Sequence, residues 1–171
     1  MVNCVVTDQK EALSMFSDAE RYPFIPRRLP TYAEACILNG RSNRLTGAVE
    51  CKNLKVFEAI NRMFQLACEA TGLKPDELLR KTDFHPRDMS STRLDSAFAE
   101  IRAVNFLAEE GFTNLRLLPA GKKKRADILG TLNGKLFAIE VANSIFDADK
   151  RVEPPQLADW LIGRVSSQSH F

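Results

Sequence analysis

From Arg125 to Ala142 the chain reads RADILGTLNGKLFAIEVA, two apolar runs broken by Asn133-Gly134. Asn-Gly between apolar runs is the strongest short-range signal for a two-residue hairpin with a type I′ turn. That turn sets Leu132 opposite Lys135, Ile128 opposite Ile139 and Asp127 opposite Glu140. One face then carries Ile128, Leu132, Phe137, Ile139 and Val141, a core face with Lys135 beside the turn. The other carries Asp127, Leu129, Thr131, Leu136, Ala138, Glu140 and Ala142, mixed apolar and acidic. Such a two-sided pair suits the middle of a sheet covered by helices on both sides.

Upstream the pattern is helical. A first helix is predicted around Lys10 to Ala19, and the three prolines of RYPFIPRRLP make residues 21–30 an extended crossing segment. Thr31 caps a short helix through Leu38, which Asn39-Gly40 stops, and Arg41 to Lys52 reads as loop. Asn53 then caps a longer helix, Leu54 to Thr71, with Phe57, Ile60, Phe64, Ala67 and Cys68 on one stripe and Gly72 at its end. Lys74-Pro75-Asp76 opens another short helix to Lys81. DFHPRDMSS, residues 83–91, has no periodicity and marks a boundary between a helical region, 1–90, and a second unit, 91–171.

In that second unit Thr92 caps a helix that ends at Gly111, with Leu94, Ala97, Phe98, Ile101, Val104 and Ala108 as its buried stripe and Glu100 at the stripe's edge. A strand from Thr113 to Leu118 follows, then Pro119, the run Lys122-Lys123-Lys124-Arg125, and the hairpin. Pro154-Pro155 opens a last helix, from about Pro155 to Val165, with Leu157, Leu161 and Val165 on one stripe. The fold class expected is α/β (α+β): helix, three strands, helix, with a helical extension in front.

Composition narrows the function. No run of about 18 apolar residues exists to span a membrane. The start MVNCVVTDQKEAL lacks the pattern of a secretory signal, so a cytoplasmic location is expected. Cys4, Cys36, Cys51 and Cys68 form no CxxC and read as small core or surface residues. With His85 and His170 the only histidines, any bound metal would take oxygen ligands, which points to magnesium, manganese or calcium. A net charge of +2 does not announce nucleic-acid binding, but Lys122, Lys123, Lys124 and Arg125 concentrate four cations next to Asp127.

The candidate chemistry is the pairing of Asp127 with Glu140. Side chains paired across an antiparallel ladder have Cβ atoms roughly 4.5–5.5 Å apart. Two carboxylates so placed repel, and a cation or a shared proton relieves them. Alternatively the two lie at a solvated end of the hairpin.

A helix carrying Glu100, a strand, Asp127, twelve residues, and Glu140-Val141-Ala142 together resemble the PD-(D/E)xK nuclease superfamily, the restriction-endonuclease-like fold, over residues 92–165. The resemblance implies a Mg2+- or Mn2+-dependent nuclease hydrolysing DNA phosphodiesters. Asp127 and Glu140 would be the metal carboxylates, the Val141 carbonyl a further ligand and Glu100 the acidic residue of the first core helix. Lys122 to Arg125 would position the nucleic-acid backbone.

Three departures stand out. Ala126 replaces the motif's proline, a common variation. Ala142 stands where the motif has lysine. Arg125 opposite it, or Lys150 or Arg151, could supply positive charge, or the alanine stands where a parent chain has lysine. Finally, SSQSHF ends the sequence without a fourth core strand, so a partner, a longer chain or an incomplete core is implied. Gln156 and Trp160 are similar in spacing to a motif of the exonuclease branch, although helix packing also explains Trp160. Two other readings stay open: a non-catalytic module binding nucleic acid or protein on the same fold, and a plain interaction protein, for example a homodimer.

Overall fold

The computed structural model describes residues 6–119 and 126–141, with side chains described from residue 9 onward. They form six helices followed by a small antiparallel sheet. The expected last helix, the basic run 122–125, Ala142, Lys150, Arg151, Gln156, Trp160, His170 and Cys4 lie outside the described residues. No described helix is long and apolar enough to cross a membrane.

The central helix α4 (Leu54–Thr71) forms where its apolar spacing predicts. The Asn53 side chain accepts the Val56 N–H at its start, and Gly72, at φ +72°, ends it in the left-handed region. Its buried stripe is Phe57, Ile60, Phe64, Ala67 and Cys68, as the sequence predicts. Phe57 meets Phe16 of α1 (Val6–Phe16) with ring centroids 4.7 Å apart.

Three stretches upstream differ from expectation, the first being α1, which spans Val6–Phe16 rather than Lys10 to Ala19. Helix α2 (Arg28–Leu38) starts three residues before Thr31 and takes Pro30 into its first turn. The first four N–H groups of a helix have no internal partner, so a proline there costs no hydrogen bond. Residues 41–52 are not simply loop, because α3 (Arg44–Glu50) forms inside them. Asn43 accepts the Leu45 and Thr46 N–H groups, while the Thr46 hydroxyl accepts the Asn43 N–H at 2.8 Å. This reciprocal cap holds a seven-residue helix that carries a glycine and too few turns to show periodicity.

Helix α5 (Pro75–Lys81) and helix α6 (Ser91–Glu109) come next. The N-cap of α6 is Ser90, not Thr92, and its side chain makes no capping bond. At the other end Gly111, at φ +86°, closes a Schellman motif in which the Phe112 N–H donates to the Leu107 carbonyl at 2.9 Å. α4 and α6 pack together through the Phe64–Phe98 edge-to-face pair and a bond from Asn105 Nδ2 to the Met63 carbonyl at 3.0 Å.

The strands β1 (Thr113–Leu117), β2 (Ile128–Leu132) and β3 (Lys135–Ile139) lie side by side in that order. The hairpin register is the expected one, from Leu132↔Lys135 to Ile128↔Ile139. A register shift in β1 between Thr113 and Arg116 coincides with Asn114 at φ +53°. Leu115, Leu117, Ile128 and Ile139 are buried in one cluster with Leu94, Ala97, Ile101 and Val104 of α6. The opposite face is partly open among the described residues: Leu129 and Thr131 are half-buried, Leu136 is 72% exposed and Ala138 is exposed.

Gly130 marks the tightest approach in the sheet. A Cβ there would stand 2.8 Å from Leu115 Cδ2 and 3.1 Å from Phe112 Cδ1. Gly130→Ala is therefore expected to lower stability by about 1–2 kcal/mol through overpacking. Urea unfolding measures it, and an unchanged midpoint would show that Leu115 can turn aside at no cost.

Candidate functional site

The acidic residues singled out in the sequence meet where α6 crosses the start of β2. Asp127 stands just before β2, held by its own backbone on both sides. Its N–H donates to the Ile139 carbonyl at 2.8 Å, and its carbonyl accepts the Leu118 N–H at 2.8 Å. The expected cross-strand pairing of Asp127 with Glu140 stops one residue short, because the ladder ends at Ile128↔Ile139. Beyond that point the side chain replaces the backbone as the link: Asp127 Oδ2 accepts the Val141 N–H at 2.6 Å. A carboxylate fixed by a backbone donor has a defined position and remaining lone pairs for a ligand. Glu140 is exposed, and its charge still acts on Asp127.

Glu100 is deeper than its expected place at the edge of the α6 stripe. It is 7% exposed, one helical turn from Ala97 and Val104, which are themselves buried. Its Oε1 accepts the Asp83 N–H at 3.2 Å. Burial pushes its pKa up to about 7; the Asp127 and Asp83 charges act in the same direction, and the Asp83 N–H opposes them. Asp127 is raised as well, first by burial, then by Glu140 and Asp83, against the pull of the Val141 N–H. These are the marks of negative charge gathered in a half-dry place, a pattern that clusters at functional sites.

Asp83 is the member that sequence reading missed. It falls in DFHPRDMSS, where its distance in sequence from Glu100 and Asp127 gave no sign that the three would meet. The loop that carries it is well fixed. Thr82 Oγ1 donates to the Leu79 carbonyl at 2.7 Å, the Phe84 ring packs edge-on to Tyr32, and the Tyr32 hydroxyl donates to the Ser90 carbonyl at 3.4 Å. Arg93 of α6 pairs with Asp83 and lies 3.5 Å from Asp88. One sequence cue existed for this pairing, the spacing that brings the first turn of α6 back to the loop before it.

The structure thus brings Glu100, Asp127 and Asp83 together with Glu140 beside them, supplied by α6, by the entry to β2, by the loop after α5 and by the exit of β3. Among the described residues no group of three or more Asp, Glu, His or Cys side chains is arranged to hold a metal ion. Cys36 and Cys68 are buried free thiols and Cys51 an exposed one, none of them at this site. No family model, curated protein or solved structure matches the chain.

Proposed function

We propose that this acidic cluster is the centre of a divalent-metal-dependent nuclease with a restriction-endonuclease-like core. The observation that carries the reading is the placement of Glu100 and Asp127: a buried helix carboxylate held by the Asp83 N–H lies within electrostatic reach of the aspartate that opens the acidic hairpin, itself held by the Val141 N–H. The resemblance requires that meeting, and a chance match of a short motif does not.

The donor set suits a hard cation, since it is made of carboxylates whose mutual repulsion a positive ion would relieve. No group of three ligands is arranged for a metal among the described residues, but magnesium needs only one or two protein carboxylates because it retains several waters. Asp127 and Glu140 would hold the ion, Asp127 pre-aimed by the Val141 N–H. Bound there, it would supply Lewis-acid stabilisation of the charge that develops on a phosphate under attack. Glu100 can hold or release a proton near neutrality. That gives it the capacity for proton transfer that the missing lysine at position 142 leaves open. Lys122 to Arg125 would meet the phosphate backbone.

A second reading, a non-catalytic nucleic-acid-binding module on the same fold, is favoured by Ala142 alone. Cleavage of mixed single- and double-stranded DNA with magnesium or manganese separates the two. Cutting by the natural chain that Asp127→Ala abolishes supports a nuclease with its lysine replaced from elsewhere. Cutting only by Ala142→Lys shows a site silenced at one position. No cutting by either, with DNA still bound, establishes the binding module.

A further inference from the structure

Beside the acidic cluster lies an open cleft of about 910 Å³ whose polar lining includes Arg41, Asp83, His85, Arg87, Asp88 and Arg93. Glu100, Asp127 and Glu140 do not line it. The link is Asp83, which borders the cleft with its side chain and holds Glu100 with its backbone N–H. Both acidic residues of the cleft are engaged by Arg93. Arg41 and Arg87 are exposed and have no ion pair among the described residues. Their backbones are nonetheless fixed: the Arg41 N–H donates to the Cys36 carbonyl at 2.8 Å, and the Arg87 N–H donates to His85 Nδ1 at 3.4 Å.

Two uncommitted guanidinium groups on anchored backbone, facing a cleft whose acids are already paired, select an anion. The planar fork of arginine matches phosphate oxygens two at a time. The 19-residue helix α6 opens at Ser90 on the same cleft, where Asp88 Oδ1 already accepts the Ser90 N–H at 3.0 Å, so the anion is left to the arginines. We propose that the cleft binds phosphate groups of a nucleic-acid strand and leads that strand to the Glu100–Asp127 cluster. The inference rests on the nuclease reading for its choice of ligand. It gives the helical region, through Arg41 and Arg87, a part in binding that the basic run at 122–125 does not cover.

The test is fluorescence anisotropy of a labelled single-stranded oligonucleotide in EDTA across a salt series, with inorganic pyrophosphate titrated separately by calorimetry. Arg41→Ala/Arg87→Ala is compared with the natural chain and with Arg41→Lys/Arg87→Lys. The alanine pair is expected to bind the oligonucleotide about tenfold more weakly near physiological salt, with a salt slope shallower by about 1.4 for two lost single-strand contacts. The lysine pair keeps the charge and should recover most of the slope. Equal affinity and slope in the natural chain and the alanine pair would overturn the cleft's role while leaving the nuclease reading standing. Pyrophosphate bound by the natural chain and lost in the alanine pair, with no oligonucleotide bound, would keep the phosphate site but overturn the strand and the nuclease reading with it. Binding of neither probe by the natural chain overturns both.

Discussion

Asp127→Asn is expected to abolish divalent-dependent cleavage while leaving the protein at least as stable as before. Asparagine retains a carbonyl oxygen that can accept the Val141 N–H, so the link between β2 and the exit of β3 survives. What disappears is a negative charge that burial, Glu140 and Asp83 all disfavour. A neutral amide relieves that repulsion, and the melting temperature should hold or rise. Cleavage, by whichever of the natural and Ala142→Lys chains cuts, should fall on the order of hundredfold or more. Even outer partners of a metal ligand are worth 10–100-fold, and Asp127 would be a ligand itself. Manganese is expected to raise the melting temperature of the natural chain, and that rise should vanish too, because a ligand stabilises only the state that binds it. Asp127→Ala is the contrasting case, since it also strips the Val141 N–H of its acceptor and should cost about 1 kcal/mol. Paired thermal melts and gel assays read all of these quantities. An Asp127→Asn protein that melts lower and still cuts would mark the carboxylate as a structural hydrogen-bond acceptor and nothing more.

The second large effect is a loss of stability as pH rises, removed by Glu100→Gln. In metal-free buffer the unfolded chain ionises Glu100 near the usual 4.5, whereas the folded protein keeps the proton until about pH 7. The stability conferred by the neutral carboxyl is therefore complete below pH 4.5 and is lost as pH climbs through 7. Its size is on the order of 3 kcal/mol, reduced by whatever relaxation lets water reach the ionised group. Asp127, also raised, adds a loss of the same sign. Glutamine keeps an oxygen for the Asp83 N–H and never ionises. The urea midpoints of the two proteins should converge near pH 4 and separate by pH 8, with the glutamine form the more stable. A gap that stays constant from pH 4 to 8 would mean that Glu100 ionises like an exposed glutamate. A cation at the cluster would oppose the natural chain's loss, so manganese should stabilise it more at pH 8 than at pH 6, where protons compete for the same oxygens.

Both effects arise from groups whose placement in the sequence and placement in space carry different information. Asn133-Gly134 sufficed for the hairpin, because the turn type fixes the register and the register sorts Ile128 and Ile139 from Leu136 and Ala138. Asn53, Gly72 and a five-residue apolar stripe likewise sufficed for α4, since caps and periodicity are local properties. Helix α3 escaped because its evidence is a reciprocal bond between Asn43 and Thr46 rather than a pattern. The early start of α2 escaped because Pro30 reads as a breaker unless its place in the first turn is known.

By itself, then, the sequence determined the hairpin, α4 and the approximate places of most other described elements, and the identity of Glu100, Asp127 and Glu140 as acids worth watching. The packing of α6 on the sheet decided the rest. It turned Glu100 from an edge residue into a buried one with the Asp83 loop against it, while the ladder ends at Ile128↔Ile139, one residue short of Asp127 and Glu140. Burial and the field of distant charges depend on which surfaces lose water together, and neighbours in sequence do not encode that.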